Sequence, residues 1–271
     1  MATPNPPLKA SGNNPGDVRR LEQACLSAWP PLREDTLGGW RVRFGDGYTR
    51  RANSVQSLGA VEEDPLTAIA LCESAYRAEG HPCVFKMTPL AQPEDLDSLL
   101  GARGYGTEGR TSVQTLDMGP DFEGPESPVP PPAETSAPRL LPPGHPDWLQ
   151  GFFRLDGTPA RHHETMAAIL ARIEPSHIGI VIEAGGQVVS CGRAVAEDGL
   201  VGLFDLATDP ALRGRGLATT LIAALLDWGR SRGAAQAYLQ VEMDNEPARR
   251  LYHHLGFRER YRYAYRVQGT G

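Results

Sequence analysis

Residues 203–233 read LFDLATDPALRGRGLATTLIAALLDWGRSRG: a strand-like apolar run, an arginine- and glycine-rich turn, then a helical pattern. This order aims the open N–H groups of the helix N-terminus, and the positive end of the helix dipole, at one point. Such a point suits a phosphate group. Gly214 and Gly216 let a ligand approach the backbone closely, and Arg213 and Arg215 can add charge-assisted hydrogen bonds. The stretch therefore predicts an anion-binding turn between a strand and a helix.

The turn departs from the two common phosphate loops. The Walker loop needs GxxxxGK[ST], and no Lys-Ser or Lys-Thr follows here; the dinucleotide loop needs GxGxx[GA], but its sixth place, counted from Gly214, is Thr219. From these residues alone, a solvated helix N-terminus after a flexible turn is the alternative interpretation.

Apolar periodicity outside the turn predicts a mixed α/β protein. Helices are expected at 17–30, 65–80, 93–105, 146–155, 164–173, about 215–231 and 246–256. Strands are expected at 39–44, 51–58, 83–88, 111–118, 199–208, 237–243 and 258–267, with a hairpin over 178–195 that turns at Gly185 and Gly186.

Composition changes at residues 119–138, GPDFEGPESPVPPPAETSAP, which favours an extended linker. We therefore expect a disordered N-terminus at 1–16, one domain at 17–118, the linker at 119–138 and a second domain at 139–271. Both halves end in a helix closed by glycine, a strand, a short helix, a Gly-aromatic pair and a final strand. This shared order suggests a diverged internal repeat, although any two α/β segments can be aligned loosely.

Charge and cysteine content narrow the class of protein. The 271 residues carry a formal charge of -6, which gives no general attraction to nucleic acid or an anionic membrane. The four cysteines lie far apart without a metal-binding spacing, as expected for reduced thiols. The N-terminus lacks a signal-peptide pattern, and no apolar run approaches the width of a bilayer. We expect a cytoplasmic protein that has no metal site and binds neither a membrane nor a nucleic acid.

Two motifs, separated by the distance usual in that family, resemble the GNAT superfamily of N-acetyltransferases. RGRGLA, at residues 213–218, matches the [RQ]xxGx[GA] loop of that family, and DNEPARRLYHHLGF, at 244–257, resembles its N-x-x-A-x-x-x-Y-x-x-x-G-F segment. The resemblance covers residues 139–268. It implies an α/β (α+β) fold of two GNAT-type domains, each a mixed, mostly antiparallel central sheet flanked by helices. The first half, which has no such loop, is similar to the degenerate N-terminal repeat of tandem GNAT proteins.

The resemblance also implies a cosubstrate, acetyl-CoA, and the residues that hold it. The strands ending near Thr208 and starting near Ala235 should splay apart to admit the pantetheine arm, and the turn should cradle the diphosphate. The implied cofactor-binding residues are Leu206, Ala207, Thr208, Arg213, Gly214, Arg215, Gly216, Leu217, Ala218, Thr219 and Asn245. Tyr252 matches the family tyrosine that protonates the departing sulfur. For Asn245, capping of the helix near Glu246 is the plainer alternative.

The general base is less well determined. Asp205 and Glu242 rank together ahead of Glu164, with a water relay possible and a purely structural role at least as common for each. Related enzymes often have an acid at the position of Gln240, which cannot act as one. His162 and His163 lie where family members often place the acceptor-binding loop, although surface helix residues are the commoner explanation.

The sequence thus predicts an acetyl-CoA-dependent N-acetyltransferase with catalytic residues Tyr252, Asp205 and Glu242. The acceptor would be a primary amine of a small molecule or peptide, attacked directly in a ternary complex, and the protein a monomer or homodimer. A regulatory protein that binds acyl-CoA without turnover is the main alternative, and a scaffold without CoA binding is the third. The first half would complete the acceptor site, cover it or enlarge the fold.

Overall fold

A computed structural model describes residues 14–142 and 144–269. Their helices are α1 Pro15–Ala28, α2 Pro65–Ala78, α3 Leu96–Ala102, α4 Pro146–Asp156, α5 His163–Leu170, α6 Leu217–Ser231 and α7 Glu246–His254. Their strands are β1 Arg33–Leu37, β2 Trp40–Phe44, β3 Val55–Gln56, β4 Val84–Met87, β5 Gly106–Asp117, β6 Arg139–Leu141, β7 Ser176–Ala184, β8 Gln187–Glu197, β9 Leu200–Thr208, β10 Gln236–Glu242 and β11 Arg258–Val267. Short 3-10 turns cover Ala160–His162 and Pro210–Leu212.

The strands form a single sheet in the order β1-β2-β3-β4-β11-β5-β10-β9-β8-β7-β6. Two neighbouring pairs, β3 with β4 and β9 with β10, are parallel, and the other pairs are antiparallel. Each parallel pair is joined through a helix, α2 or α6, as a parallel connection requires. The expected mixed, mostly antiparallel α/β fold is confirmed.

The two halves exchange their last strands. β5, the last strand of the first half, lies beside β10 of the second half, whereas β11, the last strand of the chain, lies between β5 and β4. The two sheets predicted for two domains are therefore joined into one. Neither half completes its part of the sheet without a strand from the other.

The internal repeat is visible in the order of elements. β3-α2-β4-α3-β5 in the first half corresponds to β9-α6-β10-α7-β11 in the second. Gly80 and Gly233 follow the longer helices, and Gly104 and Gly256 follow the shorter ones, all with positive φ. A residue with positive φ, in the left-handed conformation, commonly ends a helix, and glycine adopts that conformation without steric cost.

The segment 119–138 contains no helix or strand, only an isolated bridge between Thr135 and Ala184. It runs along α6: Arg230 Nη1 donates to the carbonyl oxygen of Phe122 (3.0 Å) near the C-terminal end of that helix. Ser127 and Val129 lie against Gly216 at its N-terminal end. The proline-rich segment is thus a packed connection.

At the N-terminus, residues 1–13 of the segment expected to be disordered lie outside the described residues. Residues 14–16 instead begin α1, whose N-cap Asn14 accepts a hydrogen bond from the Gly16 N–H (3.0 Å). The strand expected at 51–58 shortens to β3, and the sequence patterns gave no indication of β1 or β6.

One apolar cluster spans both halves. It packs Trp29, which follows α1, with Trp148 and Phe152 of α4 and with Tyr238 of β10. The four cysteines are buried free thiols. Within the described residues, no helix is both long and apolar enough to cross a membrane.

Candidate functional site

A cleft opens where β9 and β10 stop pairing. Their parallel ladder runs from Leu200 and Gln236 to Leu203 and Leu239. Beyond it, β9 continues to Thr208, while β10 stays paired with β5 as far as Glu242 and Thr111. The splayed strands predicted from the sequence are therefore present in the structure.

A β-bulge redirects β9 at the start of this cleft. Phe204 is opposite Arg193 and Ala207 is opposite Cys191, so Asp205 and Leu206 together face Gly192 of β8. Asp205 has φ +53°, a conformation uncommon for a residue with a side chain. Bulges of this kind bend a strand and change where its next residues point. Here the bulge directs Leu206 into the cleft.

The first of two cavities in this region, which we name the turn cavity, has a volume of ≈ 640 Å³. Its walls come from the end of β9, the turn, the first residues of α6 and one side of α7. Ten of the eleven predicted cofactor-binding residues line it: Leu206, Ala207, Thr208, Arg213, Gly214, Gly216, Leu217, Ala218, Thr219 and Asn245. Arg215 is the exception, an exposed residue between the two glycines.

The turn presents a helix N-terminus without a side-chain cap to this cavity, and the linker residues Ser127, Pro128 and Val129 line the cavity beside it. Gly216 is the N-cap of α6 with φ +77°, and no side chain caps the helix. A Cβ added at Gly214 would have no atom within 4 Å, so the backbone there is open. Arg213 is exposed, and its Nε donates weakly to the Thr208 carbonyl oxygen (3.4 Å). The turn therefore offers helix N–H groups and the lining Arg213 to an anion, with Arg215 exposed beside the cavity.

The second cavity, which we name the interface cavity, lies between the two halves and has a volume of ≈ 460 Å³. The first half contributes Tyr48, Arg50 and Arg51 from the loop after β2, and β11 contributes Tyr263 and Tyr265. None of these five was predicted from the sequence to be a site residue. The alternation of tyrosines in RYRYAYR could have indicated them, but which half the strand pairs with depends on the whole fold.

Tyr252 lies where the two cavities meet. It is 9% exposed and packs edge-on against Phe257. Burial raises the pKa of its phenol to about 12, because a phenolate is poorly stabilised away from water. At neutral pH the side chain therefore retains its proton. Asn245 lies beside it and caps α7, its Oδ1 accepting the Ala248 N–H (3.2 Å), as the plainer interpretation predicted.

The structure separates the two predicted bases. Asp205 is buried and paired on both oxygens, with Arg193 Nε at 2.8 Å and Arg51 Nη2 at 3.6 Å. A carboxylate held between two guanidinium groups is a poor proton acceptor, since both stabilise its charged form. Glu242 also lines the interface cavity but is exposed, and it forms no ion pair with any described residue.

The remaining candidates lie at or outside the edge of the site. Glu164 is exposed on α5 and lines neither cavity. His162 stacks on Tyr48, with 4.9 Å between the ring centroids, which places it behind the cavity wall. His163 stacks on Phe153 at 3.7 Å. Neither His162 nor His163 lines the turn cavity or the interface cavity.

Gln240, at the position where related enzymes often have an acid, is part of a polar network. Its Oε1 accepts from the Tyr263 hydroxyl (2.7 Å), and its Nε2 donates to Cys25 Sγ (3.2 Å). The amide thus links the cavity wall to α1. It holds Tyr263 in place and supplies no base.

Four described residues line both cavities: Asp156, Leu206, Asn245 and Tyr252. Asp156 was not identified from the sequence. The one local indication was its position at the C-terminal end of a helix, where an acidic side chain is electrostatically unfavourable. Among residues 14–142 and 144–269, no cluster of His, Cys, Asp or Glu has the form of a metal site.

Comparison with known proteins supports one family. A family model described as "Probable histone acetyltransferase Rv0428c C-terminal" matches residues 15–266. The chain is 25% identical over 256 residues to the uncharacterized N-acetyltransferase YobR of Bacillus subtilis (strain 168), covering 93% of this chain and 99% of YobR. It is 34% identical over 115 residues to the mycothiol acetyltransferase of Beutenbergia cavernae, 42% of this chain and 36% of that protein.

Solved structures share the fold across nearly the whole chain. A GCN5-related N-acetyltransferase from Kribbella flavida superposes with a TM-score of 0.66 at 18% identity, covering 97% of this chain and 98% of that one. A tandem GNAT protein from the clavulanic acid biosynthesis pathway superposes with a TM-score of 0.60 at 14% identity, covering 93% and 88%. Each match includes both halves of the sheet.

Proposed function

The chain belongs to the GNAT superfamily of N-acetyltransferases, and from this premise we propose that it transfers an acetyl group from acetyl-CoA to a primary amine. It is an acyltransferase. In the proposed reaction the amine attacks the thioester directly in a ternary complex, without a covalent enzyme intermediate. The acceptor is a small molecule or peptide. Similar proteins bear names as different as mycothiol acetyltransferase and N-alpha-acetyltransferase 30, so these names indicate no single acceptor.

The turn cavity fits the diphosphate of CoA on physical grounds. The start of α6 has no side-chain cap, Gly214 leaves space beside the backbone, and Arg213 and Arg215 are exposed. An anion at this position would be stabilised by helix N–H groups, the helix dipole and two guanidinium groups. We propose that residues 213–219 hold the diphosphate.

The cleft between β9 and β10 fits the pantetheine arm. Both strands have left their shared ladder here, so the β9 edge at Leu206, Ala207 and Thr208 faces the cavity. Backbone amides at a strand edge can pair with the amides of an extended ligand, as an added strand would. Asn245 borders the same cleft. When bound, acetyl-CoA supplies an acetyl group already activated as a thioester.

Tyr252 is the proposed acid. Acyl transfer leaves a thiolate that must be protonated, and the buried phenol holds its proton far above neutral pH. Tyr252 lines both cavities, which supports a position between a cosubstrate in one and an acceptor in the other. Of the two predicted bases that line the interface cavity, Glu242 is the one whose carboxylate forms no ion pair with a described residue. Asp205 instead positions Arg51 and Arg193.

We propose that the first half, residues 17–118, serves as a wall of the acceptor site. Tyr48, Arg50 and Arg51 line the interface cavity from that side. Arg51 pairs with Asp205 of the second half, so the wall is fixed across the boundary by a charged contact. A volume of ≈ 460 Å³ is within the usual range for sites that take small ligands or one side chain of a peptide.

The meeting of the two cavities at Tyr252 carries this proposal. The test is release of free thiol from acetyl-CoA in the presence of spermidine, glucosamine, L-lysine or a peptide with an N-terminal alanine. We expect amine-dependent release that falls roughly 100-fold in Tyr252→Phe, the usual contribution of a general acid, with CoA affinity unchanged.

A regulatory protein that senses acyl-CoA gives a different result. It would bind CoA, and Arg213→Ala would weaken that binding, but no amine would accelerate thiol release. A scaffold would gain no thermal stability from CoA, because only a ligand that binds the folded state raises its apparent stability.

A further inference from the structure

Asp156 is the one acidic residue, among those the structure describes, that borders both cavities. Glu242 and Asp205 line the interface cavity alone. In the proposed function, the thioester reaches the junction from the turn cavity and the amine reaches it from the interface cavity. A carboxylate at that junction borders the spaces proposed for both reactants, whereas one that lines only the interface cavity borders the acceptor space alone.

The contacts of Asp156 fix one oxygen and leave the other open. Its Oδ2 accepts a hydrogen bond from the Thr158 hydroxyl (2.6 Å). Thr158 is itself buried, and its carbonyl oxygen lies 2.9 Å from Nε2 of His163. Asp156 is exposed and forms no ion pair with any described residue. The carboxylate is oriented by a neighbour and remains free to bind a cation.

The position of Asp156 concentrates negative charge at the junction. It is the last residue of α4, followed by Gly157 in the left-handed conformation. The carbonyl end of a helix is its negative pole, so an acid there typically costs about 0.3–1 kcal/mol of stability. The cation on the same helix, Arg154, is turned away: it pairs with Asp209 at 3.8 Å and donates to the carbonyl oxygen of Val188. Among the described residues, the charge of Asp156 is thus left without an ion-pair partner.

We propose that Asp156 binds the ammonium group of the acceptor and takes its proton, an inference that rests on the proposed function. In the step, R–NH3⁺ gives one proton to the carboxylate, directly or through one water, and becomes R–NH2. The amine then forms the C–N bond as the C–S bond breaks, and Tyr252 protonates the sulfur. The nitrogen then loses a second proton to water, Asp156 releases to water the proton that it took, and Tyr252 regains a proton from water. Overall, R–NH3⁺ and acetyl-CoA give the amide, CoA thiol and one proton.

Other titratable groups share this environment, and the test has to separate them from Asp156. They are Tyr48, Arg50 and Arg51 from the loop of the first half, Arg154 on α4, His162 and His163 on the next turn, Cys191 on β8, Asp205 on β9, Glu242 on β10, Tyr252 on α7, and Tyr263 and Tyr265 on β11. Burial raises the pKa of Tyr48, and it raises the pKa of Cys191 beyond the range in which it would ionise, so both remain neutral near pH 7.

The experiment compares the full-length protein with Asp156→Asn, Asp156→Glu and Glu174→Gln. Glu174 is an exposed acid of the second half that lines neither cavity. The readouts are kcat/KM for the amine that turns over fastest among the four named above, from pH 6.5 to 9.5, and the Kd of CoA. We expect Asp156→Asn to lower kcat/KM about 100-fold at pH 7. The deficit should shrink as pH rises, because the variant can use only amine that has already lost its proton.

Partial recovery in Asp156→Glu, with an unchanged Kd for CoA and wild-type rates in Glu174→Gln, would support the proposal. Asp156→Asn with wild-type kcat/KM across this pH range would overturn it and leave the proposed function intact. A loss of equal size at every pH would also overturn it, because that is the behaviour of a structural residue. CoA binding without turnover of any amine by the wild-type protein would contradict both.

Discussion

At the scale of single residues, Asp205 and Glu242 have the same chemistry and opposite surroundings. Asp205 is buried between Arg193 and Arg51, whereas Glu242 is exposed and unpaired among the described residues. Removing one partner of a buried ion pair leaves the other charge uncompensated, at a typical cost of about 3–5 kcal/mol. We predict that Asp205→Asn lowers the free energy of unfolding by an amount in this range. Urea denaturation followed by circular dichroism measures it.

Glu242→Gln is the matched control, and its stability should stay within about 0.5 kcal/mol of wild type, as for most surface substitutions. Equal stabilities for the two variants would mean that the pairing of Asp205 with Arg193 and Arg51 does not stabilise the fold, and Asp205 would return as a candidate base.

Residues that line the turn cavity were easier to predict than residues that line the interface cavity, for a physical reason. The proposed role of residues 213–219 depends on backbone conformation and a helix N-terminus, which are local properties of a short sequence. Tyr48, Arg51 and Asp156 meet only when loops from both halves come together. No periodicity or spacing encodes that meeting.

At the scale of elements, the linker segment 122–130 and the turn before α6 form one contact surface. An added Cβ at Gly216 would collide with the Val129 carbonyl oxygen and the Ser127 hydroxyl, whereas one at Gly214 would meet no atom within 4 Å. Both glycines have φ above +70°, so alanine costs roughly 1–2 kcal/mol of backbone strain at either position. The two positions share the positive φ and differ in the linker contact, which Gly216, the N-cap of α6, makes and Gly214 does not.

We predict that Gly216→Ala releases the linker and that Gly214→Ala leaves it packed. Hydrogen–deuterium exchange of residues 122–130, measured without CoA, should rise in the first variant and match wild type in the second. Equal exchange in both variants would show that the linker does not rest on the turn.

Most elements were predictable because their patterns are local and long. The helices α2, α6 and α7 agree with their expected ranges, and each is followed by a positive-φ glycine within about two residues. β1 and β6 are mainly exposed short edge strands without a clear apolar alternation, so no local pattern marked them. β3 has only two residues, because the loop before it turns toward the interface cavity instead.

At the scale of the whole molecule, the exchanged strands make the two halves one folding unit. β5 separates β10 from β11, so the second half alone has a gap in its sheet. The cluster around Trp29, Trp148 and Tyr238 would also lose its first-half members. We predict that a fragment of residues 139–271 is unfolded or aggregated, since it exposes unpaired strand edges and core surface.

Full-length protein should unfold in a single transition, with tryptophan fluorescence and circular dichroism giving the same midpoint. A soluble 139–271 fragment with native-like circular dichroism, or two separate transitions of the full chain, would contradict this prediction. The exchange itself could not be predicted, because it depends on packing between strands far apart in sequence.

The central claim is that the turn at residues 213–219 holds acetyl-CoA, and calorimetric titration of the full-length protein with acetyl-CoA tests it most directly. The comparison is wild type, Arg213→Ala and Arg172→Ala, the last an exposed arginine outside both cavities. Because hydrogen bonds to charged groups contribute about 1.5–3 kcal/mol, Arg213→Ala should weaken binding by roughly 10- to 100-fold and Arg172→Ala should not change it. Absence of binding to wild type, or equal affinity in all three proteins, would contradict the account.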